Sequence, residues 1–90
     1  VISVWSNVAP AKVHQMCDSF FKGDIETARQ IQREGLPLVD ALFSEVNPIP
    51  VKKALNLMGK KVGPLRSPLC EMSEANAVKL AEVMKAYGIL

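Results

Sequence analysis

Ninety residues, 49% of them hydrophobic, are enough for one small globular domain. Eleven basic and nine acidic side chains leave a formal charge of +2 and are mixed along the chain, which excludes the basic, aromatic-interleaved stripe of a nucleic-acid interface. No run approaches the ~18 apolar residues of a membrane span, and no basic-apolar-small leader is visible, so the expectation is a cytoplasmic chain without a membrane or nucleic-acid partner.

The chain opens on Val1-Ile2-Ser3-Val4-Trp5 with no initiator Met, and reads as if cut at the edge of a strand. That segment is β-rich but alone, since an isolated strand leaves its ladder groups unpaired. After a turn at Ser6-Asn7, Pro10 suits a first helical turn, and Val13, Met16, Cys17, Phe20 and Phe21 fall at helical spacing. Gly23 ends this helix and Asp24 caps the next, with Glu26 in its first turn. The second helix carries Ile25, Ala28, Ile31, Leu38, Leu42 and Val46, with Gly35 and Pro37 interrupting it; a kink is expected there, because the pattern continues beyond the proline.

The Asn47-Pro48-Ile49-Pro50 break follows. Each proline pushes its predecessor out of the helical region, so one helix ends near Val46 and another starts near Pro50. The third helix runs to about Met58, burying Val51, Ala54, Leu55 and Met58, and Gly59 ends it. Lys60 to Met72, with Gly63, Pro64 and Pro68, reads as a loop; Ser73 caps the last helix, where Leu80, Val83, Met84 and Tyr87 share a face, and Gly88 terminates it. The predicted fold is mainly α, about four helices plus an N-terminal orphan strand.

The string Asn47-Pro48-Ile49-Pro50-Val51-Lys52, with Leu36-Pro37-Leu38 before it and Gly63-Pro64-Leu65-Arg66-Ser67-Pro68-Leu69 after it, resembles the C-terminal region of the dihydrodipicolinate synthase family. The resemblance covers essentially the whole chain. It implies a piece of a (β/α)8 (TIM) barrel of ~250 residues, in which residues 1–23 are the last β/α unit and residues 24–90 a C-terminal helical domain. It also implies the chemistry of a pyruvate-dependent lyase in lysine and diaminopimelate biosynthesis: a lysine amine forms a Schiff base with pyruvate, and the enamine attacks aspartate semialdehyde through a Tyr-centred proton relay. Such a lysine needs a lowered pKa.

The Schiff-base lysine, the relay Tyr and the carboxylate-binding Arg of that family precede this region, so no catalytic residue is expected in the chain. By resemblance, Ile2 alone borders the bound pyruvate, its carbonyl near the Schiff-base lysine; the competing reading is a plain core residue. No cofactor and no metal are implied, and the complete protein is expected to be a homo-oligomer. Trp5 and Cys70 stand where the family commonly has Thr, and Ser67 where it has Leu. The alternative reading is an autonomous helical module that self-associates through the apolar faces left open without a barrel.

Other constellations carry less. His14, Cys17 and Asp18 share one helix face but lack the further ligands of a zinc site. Cys17 and Cys70 read as two reduced thiols, Lys52 and Lys53 as solvated side chains, and Arg66 as the partner of Glu71 or Glu74.

Overall fold

Val1–Ser3 have no second strand within these ninety residues to pair with, and they adopt no regular structure. In the computed structural model, which describes residues 1–90, the chain forms five helices and no strand: α1 (Trp5–Val8), α2 (Pro10–Phe21), α3 (Ile25–Leu42), α4 (Ile49–Leu57) and α5 (Glu74–Tyr87). The mainly α fold is therefore observed, while the orphan strand expected over Val1–Trp5 is not, and its last residue starts a helix. The missing neighbour leaves Val1–Ser3 irregular, and local hydrogen bonds start the helix that follows. Ser3 Oγ accepts from the Ser6 N–H at 3.0 Å, the Ser6 hydroxyl donates to the Ser3 carbonyl at 2.8 Å, and the Asn7 amide donates to the Val4 carbonyl at 3.1 Å. Short polar side chains thus satisfy the backbone that a strand would leave open.

Pro10 begins α2 as expected, and Val13 is buried on its inner face, but the stripe does not stay covered. Met16 and Cys17 are half-buried, and Phe20 and Phe21 stand 58% and 84% exposed, edge-to-face with centroids 5.9 Å apart. Gly23, at φ +83°, allows the tight reversal in which the Asp24 N–H reaches the Ser19 carbonyl at 2.8 Å. Asp24 then caps α3, its carboxylate accepting from the Thr27 N–H at 3.2 Å and the Thr27 hydroxyl at 2.7 Å.

The helix α3 is the spine, packed against each of the other four. It runs unbroken through Pro37, which forfeits the bond its N–H would make to the Arg33 carbonyl. It stops at Leu42, four residues before the expected end. The Ser44 hydroxyl donates back to the Ala41 carbonyl at 2.7 Å and competes with the next helical turn, so Val46 is 66% exposed rather than on the buried stripe. Leu38 and Leu42 are fully buried, and around them a core of thirteen residues includes Trp5, Val8, Val13, Ile31, Ile49, Val51, Ala54, Met72, Leu80 and Met84.

The segment between α4 and α5 has no regular structure but is tied down along its length. Asn56 Oδ1 accepts from the Val62 N–H at 3.0 Å and its amide donates to the Gly63 carbonyl at 3.0 Å, while Lys52 Nζ donates to the Pro64 carbonyl at 2.9 Å. Met72 plugs the end of the segment into the core. Ser73 caps α5 and Gly88, at φ +95°, ends it. No helix is long and apolar enough to cross a membrane.

Candidate functional site

The residues singled out from the sequence do not converge. Ile2 lies at the N-terminal end with its side chain fully exposed, and nothing in this chain covers it. Lys52 is engaged with the Pro64 carbonyl, and Lys53 is half-buried on the next position of α4. Arg66 is exposed and pairs with neither Glu71 nor Glu74, contrary to expectation; it opens a turn in which its carbonyl accepts from the Leu69 N–H at 3.0 Å. The two ion pairs formed are Lys22 with Asp18 at 2.8 Å and Arg29 with Glu26 at 3.0 Å, both within a helix or at its end. The first of these takes Asp18 out of any His14–Cys17–Asp18 ligand set, and no group of three His, Cys, Asp or Glu side chains is placed to hold a metal ion.

Two arrangements were not anticipated from the sequence. Glu45, in the turn after α3, accepts three hydrogen bonds on one carboxylate oxygen: from the Asn76 amide at 2.9 Å, the Ser73 hydroxyl at 3.0 Å and the Ser73 N–H at 3.1 Å. The Asn76 bond is the chief reason its pKa is lowered from the ordinary 4.5; burial opposes it, and the two Ser73 bonds add to the lowering. Glu45 thereby holds the N-terminus of α5, whose dipole its negative charge complements, against the end of α3.

The second arrangement joins α1, α3 and α5. The six-membered ring of the Trp5 indole packs against Gly35, so close that a Cβ at residue 35 would stand 2.5 Å from Cη2 and closer still to Cζ2. Trp5 is only 6% exposed, so it cannot swing aside, and Gly is required by contact rather than by backbone angle. The Trp5 Nε1–H and the Tyr87 hydroxyl are both sealed from solvent, and neither closes a hydrogen bond of good geometry. Burial raises the Tyr87 pKa above 10.0; the neighbouring Trp5 indole works against that rise, and the charge of Glu34 adds to it. Beside this junction Lys12, Glu34, Pro37, Leu38, Val83 and Tyr87 line an open cleft of about 380 Å³. The sequence signal for the junction is a glycine inside a helical pattern, which marks a close approach without saying to what.

A five-helix segment with an uncovered N-terminal stretch, no assembled catalytic group and an exposed aromatic pair has the features of a portion of a larger fold. The model of the dihydrodipicolinate synthetase family matches residues 1–87, and the chain belongs to that family. It is 57% identical over all 90 residues to the 4-hydroxy-tetrahydrodipicolinate synthase of Lachnoclostridium phytofermentans and to that of Thermoanaerobacter sp. strain X514. It covers 31% and 30% of those two proteins, so it spans about a third of the length of the relatives it matches. Among solved structures, the dihydrodipicolinate synthase of Thermotoga maritima superposes with a TM-score of 0.96 at 49% identity, covering all of this chain and 30% of that one. A dihydrodipicolinate synthase variant described as monomeric gives the same score and identity.

Proposed function

We propose that this chain is the C-terminal scaffold portion of a 4-hydroxy-tetrahydrodipicolinate synthase, a cytoplasmic lyase that condenses pyruvate with aspartate semialdehyde through a lysine Schiff base in lysine and diaminopimelate biosynthesis. The observation that carries this reading is the end-to-end match: 57% identity over all 90 residues together with a backbone that superposes on a solved synthase at a TM-score of 0.96. On this reading residues 1–23 are the last β/α unit of a TIM barrel and residues 24–90 the appended helical domain. Val1–Val4 become a strand only when the preceding barrel strand supplies the ladder that the free chain lacks. Ile2 then borders the pyruvate, at the C-terminal ends of the strands where such barrels keep their sites. The nucleophilic lysine, the relay Tyr and the carboxylate-binding Arg come from the remainder of the enzyme.

Trapping with pyruvate and borohydride tests this, since reduction freezes a Schiff base as a stable adduct. The full-length enzyme that carries this chain gains one pyruvate adduct, and peptide mapping places it outside residues 1–90; an adduct on Lys52 or Lys53 refutes the assignment. A second reading, self-association of the free helical module, is favoured by its exposed surface. The accessible area is 5931 Å² where about 5,200 Å² is expected of a monomer of this mass. Exposed apolar side chains, Phe20 and Phe21 among them, offer surface that the rest of the enzyme or a second copy would cover. In the complete enzyme the same helices contribute to a homo-oligomer.

A further inference from the structure

We infer that Gly35, acting through Trp5, is a positioning residue for the pyruvate pocket, and this inference rests on the reading that Ile2 forms part of that pocket's wall. Three observations lead to it. Only Ser3 and Val4 separate Ile2 from Trp5, and they are held by the Ser3–Ser6 and Val4–Asn7 hydrogen bonds, so the position of the indole fixes the backbone that leads into Ile2. The indole in turn has one seat. Its six-membered ring occupies the space that a side chain at residue 35 would take, and its nitrogen is sealed in beside the Tyr87 hydroxyl. Finally, Gly35 has no local reason to be glycine: it lies in the interior of α3 at an ordinary helical angle, where glycine costs about 1 kcal/mol relative to alanine. That cost is offset by what the missing Cβ admits, which is Trp5.

The consequence is a mechanical link from the middle of α3 to the pocket wall. A methyl group at residue 35 cannot be absorbed by rotating a buried indole, so Trp5 moves away from α3 and carries Ser3 and Ile2 with it. Displacement of a pocket wall by a fraction of an ångström acts on the ligand it borders. Pyruvate binding is therefore the step affected, whereas the second substrate, bound to the enamine afterwards, is affected less.

The test uses the full-length enzyme that carries this chain, in four forms: unaltered, Gly35→Ala, Trp5→Phe, and Gly35→Ala combined with Trp5→Thr. Steady-state kinetics for both substrates, borohydride trapping and thermal unfolding are read on each. In Gly35→Ala the KM for pyruvate rises about tenfold, with KM for aspartate semialdehyde within about twofold of the unaltered enzyme. In the double variant the clash is gone but so is the indole that Gly35 seats, so the KM for pyruvate stays raised, as in Trp5→Phe, and does not return to that of the unaltered enzyme. A residue that merely stabilised the fold would lower the active fraction, and so the apparent kcat, and leave both KM values unchanged; that pattern overturns the inference. Should Gly35→Ala not fold, Trp5→Phe decides. It removes the outer ring from the Gly35 seat while keeping a buried aromatic, and it raises the pyruvate KM if the link exists and leaves it unchanged if not. An unaltered enzyme that forms no borohydride adduct refutes the enzyme assignment and this inference with it. A normal adduct with unchanged kinetics in every variant refutes the inference alone.

Discussion

Glu45 shows how a single side chain in an irregular turn fixes the angle between two helices. Its oxygen gathers three donors from the first turn of α5, and the lowered pKa that results has a definite consequence for acid stability. Since the folded carboxylate holds its proton less tightly than the ordinary value of 4.5, its contribution is complete above that value and is lost as pH falls through the lowered one. Asp24, lowered by the Thr27 hydroxyl and then the Thr27 N–H, and Asp18, lowered mainly by Lys22, act in the same direction from 3.8. Thermal unfolding followed by circular dichroism is expected to show a midpoint that drops on acidification, with a shallower drop in Glu45→Gln. An identical acid limb in that variant would remove Glu45 from the account. Deep in the core, Leu42 is fully buried against α3's neighbours, and Leu42→Ala is expected to cost about 2–5 kcal/mol in denaturant unfolding. A cost below about 1 kcal/mol would mean that the site collapses around the gap.

Among the helices, termini were more legible in the sequence than faces. Gly23, Asp24, Ser73 and Gly88 act as caps because capping depends on a few adjacent backbone groups, all of which the sequence displays. Ser73→Ala, which removes a cap and a Glu45 contact together, is expected to lower stability by about 1 kcal/mol or more. An unchanged unfolding midpoint would show that α5 is held by its apolar face alone. The end of α3 was misplaced because Val46 continues an apolar period, whereas the Ser44 hydroxyl that halts the helix leaves no mark on that period. Phe20 and Phe21 fit the stripe of α2 equally well and are nonetheless exposed, since periodicity names a face without naming its neighbour. The Gly35–Trp5 contact joins residues thirty positions apart, and Glu45 meets Ser73 across twenty-eight. Spacing along the chain carries no signal for either. The family strings, by contrast, were readable because the Asn47–Lys52 segment is specific as a string, whatever its conformation.

For the molecule as a whole, shape and surface are those of an elongated chain with uncovered apolar side chains. The chain extends 44 × 22 × 21 Å with a radius of gyration of 13.8 Å, against about 12 Å for a compact domain of its length. An elongated set of helices with few fully buried residues has a small core and leaves much apolar surface uncovered. The free chain is therefore expected to associate, with light scattering giving a mass above one copy that falls on dilution. A strictly monomeric mass at high concentration would show that the exposed Phe20–Phe21 face needs no cover. The assignment to a synthase is tested most directly by replacing the matching 90 residues of the Lachnoclostridium phytofermentans relative with this chain and assaying pyruvate-dependent condensation of aspartate semialdehyde. The chimaera is expected to fold, to form the borohydride-trapped pyruvate adduct and to turn over. A folded chimaera that forms neither adduct nor product would contradict the placement of this chain as the enzyme's C-terminal scaffold.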